Sequence, residues 1–214
     1  MGPPQGWRSV SVAPERLAAW LERFGLRHGT PSVESTADGV VLRSPDGAQA
    51  RIRTPWPPTG PSDDPLAALV LTTTRPRLVG VLIVRREAHA VGVFDGTRLQ
   101  DGRHHSHYVQ GRTKAGGWSQ QRYARRRANQ SARAFDAAAA DAAAVLVPVA
   151  GRLEALATGG DGTAVSAVLG QPALGDLAGL PRLGVFPVPN PNAGVLASFA
   201  EVFRRVPIDL NDLA

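Results

Sequence analysis

Residues 77–111 read RLVGVLIVRREAHAVGVFDGTRLQDGRHHSHYVQG, and this stretch decides the fold. RLVGVLIVRR is apolar and β-branched, the composition of a buried strand. EAHAVGVFDG is a second run of the same kind. Asp95-Gly96 is a turn dipeptide that sends the chain back into the more polar TRLQDGRHHSHYVQG. Three strands in succession predict a meander. The chain beyond the meander alternates helix, strand, helix, strand, helix, so the expected class is α/β, a mixed sheet with flanking helices.

Immediately downstream, residues 111–127 read GRTKAGGWSQQRYARRR. Seven cationic side chains lie in this region: Arg112, Lys114, Arg122, Arg125, Arg126, Arg127 and Arg133. No carboxylate separates them, and the first acidic residue after Asp101 is Asp136. A core cannot satisfy that charge, so the segment faces water or a polyanion. A merely solvated helix would mix signs at i and i+4. Gly116 and Gly117 let the backbone turn where other residues would clash. A long helix is expected from Ser119 to about Val147. On a wheel of about 100° per residue, Arg122, Arg125, Arg126 and Arg133 share one face. Ala124, Ala128, Phe135, Ala139, Ala142 and Leu146 share the other, which faces a core.

Working outward toward the N-terminus, residues 7–57 read as a small αβ unit. Trp7–Val12 is a short strand. Pro14 opens a helix whose apolar residues Leu17, Trp20, Leu21 and Phe24 recur at three and four, and which Gly25 or Gly29 stops. GVVLRS and AQARIRT are two strands joined at Pro45-Asp46-Gly47. Residues 55–65, PWPPTGPSDDP, contain five prolines and are expected to be a linker. The expected domains are therefore 1–60 and 61–214. Beyond Pro148, RLEALATGG is a strand and turn, Thr163–Leu169 a short helix, RLGVFPVPNPN a strand and loop, and NAGVLASFAEVFRRV a second amphipathic helix.

The net charge is +6, and Lys114 is the only lysine. Guanidinium forks bind phosphate bidentately and stack on bases. The absence of cysteine excludes disulfides, thiolate nucleophiles and zinc ribbons. MGPPQGWRSVSV carries no apolar leader region, and no run of 18 apolar residues stands out. A soluble, cytoplasmic chain with no membrane partner is expected. Few aromatics flank the arginines, which favours backbone contact to structured RNA over base stacking.

Several residues together carry a family resemblance. The segment VGVLIVRREAHAVGVFDGTRL…GRTKAGGWSQQRYARRR resembles the middle domain of archaeal and eukaryotic class I peptide release factors. That domain has an RREA-like turn, a basic loop bearing Gly-Gly-Gln, and a helix of the form SxxRFxRxR. Arg85-Arg86-Glu87-Ala88, Gly116-Gly117 and Arg122-Tyr123-Ala124-Arg125 match, and the resemblance extends over roughly residues 66–210. Trp118 stands where those factors have glutamine. The shifted form Gly117-Trp118-Ser119-Gln120 is similar to the actinobacterial branch of the Vms-like release factors. The resemblance implies an RNase H-like topology and peptidyl-tRNA hydrolysis on stalled large subunits. It implies rRNA and peptidyl-tRNA as partners, no cofactor, and a monomer. Gly116, Gly117, Gln120 and Gln121 become the candidate catalytic residues, and the seven cations the RNA contacts. Which glutamine acts, and whether ester or phosphodiester is cut, stay open. So does a non-catalytic RNA-binding role.

Two other motifs have plainer readings. His104-His105-Ser106-His107 has no carboxylate at zinc-enzyme spacing, so no metal is expected there. LATGGDGT, which lacks the GK[ST] ending of a phosphate loop, is expected to be a strand-to-helix turn. No GxSxG elbow supports a Ser-His-Asp triad.

Overall fold

The computed structural model describes residues 6–56, 63–106 and 119–214, and of 119–129 and 131 the backbone alone. The chain divides into two compact units. One is residues 1–75 with 204–214, the other 76–203. The division differs from the expected boundary at 60/61 at both ends.

The first unit holds strand β1 (Arg8–Val12), helix α1 (Leu17–His28), strands β2 (Ser32–Thr36), β3 (Gly39–Arg43) and β4 (Gln49–Arg53), and helix α2 (Pro65–Thr74). A 3-10 turn at Pro14–Arg16 leads into α1, and Gly29, at φ 82°, ends it. Helix α2 starts at the last residue of the expected linker, 55–65, over a stretch to which the sequence assigned no element. Asp64 caps it, accepting from the amides of Leu66 and Ala67, and Pro65 occupies the first turn, where its missing N–H costs nothing. The sheet order is β1-β10-β4-β3-β2, antiparallel throughout, where β10 is the C-terminal strand Val206–Leu210. Leu17, Phe24, Leu42, Ile52, Leu69 and Ile208 fill its core.

The second unit opens with strands β5 (Leu78–Arg85), β6 (Ala88–Asp95) and β7 (Arg98–Ser106), the expected meander. Helix α3 (Ser119–Leu146), strand β8 (Ala155–Gly160), helix α4 (Gly162–Leu169), strand β9 (Arg182–Phe186) and helices α5 (Ala193–Ala197) and α6 (Ala200–Phe203) come after it. The sheet order is β7-β6-β5-β8-β9. Strands β5, β6 and β7 are antiparallel to one another in succession, while β8 runs parallel to β5 and β9 parallel to β8. This is the strand order of an RNase H-like sheet. The helix expected over residues 192–206 is instead two short ones, broken at Ser198-Phe199. Phe199 turns inward, edge-on to Phe186 and Phe203.

Over the described side chains, helix α3 packs on the sheet as its wheel predicts; those of Ala124 and Ala128 lie outside them. Ala138, Ala139, Ala142 and Leu146 are buried against Leu82, Val84, Val91 and Val93, and Phe135 is partly buried beside them. Residues 132–152 are long and apolar enough to cross a membrane by length and composition. Ala138, Ala139, Ala142 and Leu146 of that stretch belong to this core. The short alanine side chains let the helix approach the sheet closely.

Candidate functional site

Two regions bear on function, and the expected one is described in part. Arg112, Lys114, Gly116 and Gly117 lie outside the described residues. Gln120 and Gln121 fall in the first turn of α3, which opens at Ser119. Arg122, Arg125, Arg126 and Arg127 come next along the helix, with their side chains outside the described set. Arg133 is exposed. Backbone N–H groups in a helix's first turn have no intrahelical acceptor, so this end of α3 offers donors beside the glutamines. The positive end of the helix dipole adds to the cationic character of the segment.

The second region escaped the sequence reading. Period-two alternation puts His89, Val91 and Val93 of β6 on the face beneath α3. His105 of β7 is the register partner of His89, so it shares that face. Asp141 comes down on both from α3. His89 Nε2 lies 2.9 Å and His105 Nδ1 2.7 Å from the same oxygen, Asp141 Oδ2. Arg103 Nη1 donates to the other oxygen, Oδ1, at 3.3 Å. The histidine rings are tilted at 43° with centroids 5.5 Å apart. His89 is fully buried, whereas the His105 side chain is 61% exposed.

Burial pushes the His89 imidazole below its usual pKa, against the opposing pull of the Asp141 carboxylate. For Asp141, burial alone would raise the carboxyl. Hydrogen bonds from His89, His105 and Arg103 outweigh it and hold Asp141 below the usual carboxylate range. No carboxylate stands at zinc-enzyme spacing from the histidine run in sequence, yet the fold brings one to it. Asp141 stands 36 residues beyond His105 in sequence yet meets it in space. No local spacing rule could pair them. The one available signal was an aspartate, Asp141, set between alanines on the helix five residues after Asp136. His107 lies outside the described residues.

LATGGDGT is the capped turn expected. Asp161 accepts from the amides of Thr163 and Ala164 at the start of α4, so those donors are already satisfied by a carboxylate. Gly160, at φ 92°, makes the turn out of β8.

The family model described as Actinobacteria/chloroflexi VLRF1 release factor matches residues 77–209. The chain belongs to this family. That span contains GGWSQQRYARRR, His89, His105 and Asp141. Its limits fall inside the 66–210 of the sequence resemblance. A crystal structure of the archaeal translation termination factor aRF1 is 15% identical, with a TM-score of 0.42, over 95% of this chain and 67% of that one. A second structure, described only as an archaeal protein, is 15% identical with a TM-score of 0.38, over 95% and 68%. No curated protein matches. Membership in the VLRF1 release factor family assigns the chain to translation, in termination or ribosome rescue, and implies interaction with the ribosome.

Proposed function

We propose that this protein is a peptidyl-tRNA hydrolase that releases nascent chains from stalled large ribosomal subunits. The observation that supports it best is the family match over residues 77–209, a span that includes Gly116, Gly117 and Gln120. Water attacks the acyl carbon of the ester, the bond to the ribose oxygen breaks, and a proton passes to that oxygen. The products are a free peptide and a tRNA ending in CCA. An activated ester needs little acid-base help. It needs a positioned water and stabilisation of the developing oxyanion. The Gln120 amide and backbone N–H groups at the start of α3 supply both without a titrating group. Gly116 and Gly117 allow close approach to the tRNA end. Arg112, Lys114, Arg122, Arg125, Arg126, Arg127 and Arg133 hold rRNA and tRNA phosphate. The protein acts as a monomer in the cytoplasm and needs no cofactor for this step.

The test is to incubate purified protein with large subunits carrying peptidyl-tRNA and to map both product ends. Free peptide with CCA-ended tRNA supports the proposal. Peptide still bearing nucleotides would identify a nuclease. Binding without any cleavage would identify an RNA-binding module.

A further inference from the structure

His89, His105 and Asp141 belong to three elements, and their ligand atoms all lie within 4.8 Å of one another. The geometry points to a site for a divalent transition-metal ion of the zinc class, held by His89 Nε2, His105 Nδ1 and Asp141 Oδ2, that clamps β6 and β7 to α3.

Both imidazoles aim a ring nitrogen at one carboxylate oxygen, at 2.9 and 2.7 Å. Pinning a helix to a sheet takes one such contact. Convergence of two imidazoles on one oxygen is the layout of a ligand set. In a tetrahedral site with metal–ligand bonds of about 2.0–2.1 Å, ligand atoms stand about 3.3 Å apart. Each imidazole nitrogen therefore needs to part from the carboxylate oxygen by about half an ångström, and the two nitrogens, within 4.8 Å of each other, need to settle at about 3.3 Å, to admit an ion. His105 is exposed and free to give that distance, while buried His89 anchors the site. The exposed side leaves a fourth position for water. Two imidazoles and a carboxylate suit zinc and its neighbours, not magnesium or calcium, which prefer all-oxygen sets. Arg103 occupies Oδ1 and leaves Oδ2 as a one-oxygen ligand, oriented by a hydrogen bond from outside the coordination shell.

The ion is structural. Gln120 and Asp141 belong to one helix and lie about 30 Å apart along it, at about 1.5 Å rise per residue. An ion at Asp141 cannot polarise a bond held beside Gln120. Instead it ties the end of β7 to α3, the two elements that bracket residues 107–118 and hence Gly116 and Gly117. This site stands independently of the proposed ester chemistry.

The test uses the full chain, free of any affinity tag and stripped with chelator. Co²⁺ is titrated while its visible absorption is followed, then displaced with Zn²⁺, and thermal unfolding is recorded with and without Zn²⁺. One equivalent bound, with a raised unfolding temperature, is expected. His105→Ala and Asp141→Asn should each weaken binding by about 100-fold and abolish the thermal gain. These two are chosen because removing buried His89 also disturbs the core. His104→Ala, on the opposite face of β7, should bind as the unaltered chain does. The inference is overturned if no equivalent binds, or if His104→Ala loses as much affinity as His105→Ala. The latter result would assign the binding to surface imidazoles.

Discussion

His89 and His105 stand directly opposite each other across β6 and β7, and both meet the same oxygen of Asp141. This relationship fixes the register of an otherwise exposed edge strand. A slip of one residue would carry His105 to the far face and bring His104 or Ser106 under α3. It also joins the end of β7 to the helix that bears the candidate glutamines.

Replacing Gln120 with alanine should remove most release activity and leave affinity for large subunits near normal. An uncharged amide adds little binding energy but about 3 kcal/mol to a transition state, roughly 100-fold in rate. Gln121→Ala should be milder, because Gly117-to-Gln120 has the family spacing. Single-turnover release beside a pelleting assay checks this, and equal losses would mean the wrong amide was chosen.

Neutralising Arg122, Arg125 and Arg126 together should weaken subunit binding and flatten its salt dependence. With one phosphate each, the slope of log K against log salt should shrink by roughly two to three units. A slope that does not move would make this face merely solvated.

Gly160→Ala should destabilise the protein by about 3 kcal/mol. Its backbone sits at φ 92°, and an added Cβ would meet the Val84 carbonyl oxygen at 2.3 Å. Gly151→Ala is the control, since nothing lies within 4 Å of its would-be Cβ. Urea unfolding of the two variants should separate them clearly.

Asp161→Ala should cost about 1 kcal/mol through loss of the α4 cap. The amides of Thr163 and Ala164 would lose their acceptor. Asp161→Asn should recover most of the loss. If both variants unfold alike, the cap contributes little.

Asp38 accepts from Thr36 Oγ1 at 3.0 Å and from Arg51 at 3.0 Å. Burial would raise its carboxyl, but these bonds and the Arg51 charge hold it below the usual value of 3.8. A lowered folded pKa adds stability that is complete above the unfolded pKa and is lost as pH falls through the folded one. Asp38→Asn should therefore cost about 0.5 kcal/mol at pH 7, since the group is half-exposed. The difference from the unaltered chain should fade below about pH 4. Urea midpoints across pH 2–7 measure it, and a constant gap would remove the electrostatic explanation.

Much of the fold was legible because its signals are local. The turn at Asp95-Gly96, the apolar runs of β5 and β6, the alanine stripe of α3 and the stop at Gly29 each lie within a few residues of what they control. Helix α2 was also locally written, in Asp64 as cap and Pro65 in the first turn, but these two residues close the proline-dense stretch 55–65 that resembled a linker. The basic face and the Gly-Gly-Trp-Ser-Gln spacing were likewise readable without coordinates.

The sequence by itself determined the meander, the long helix and the cationic segment with its glutamines, because periodicity and charge act over one or two turns. Only the tertiary structure decided that β10 enters the first sheet between β1 and β4. VPIDL carries a proline, which argues against an inner strand. Yet Pro207 pairs with Ser11 of β1 and lies beyond the residues that pair with β4, so no ladder bond is asked of it on the β4 side. Tertiary structure also decided that Asp141 meets His89 and His105. Pairing across 52 and 36 residues is set by which strand neighbours which and by how a helix lies on a sheet. Those outcomes depend on the burial of the whole core, and no short window of sequence contains them.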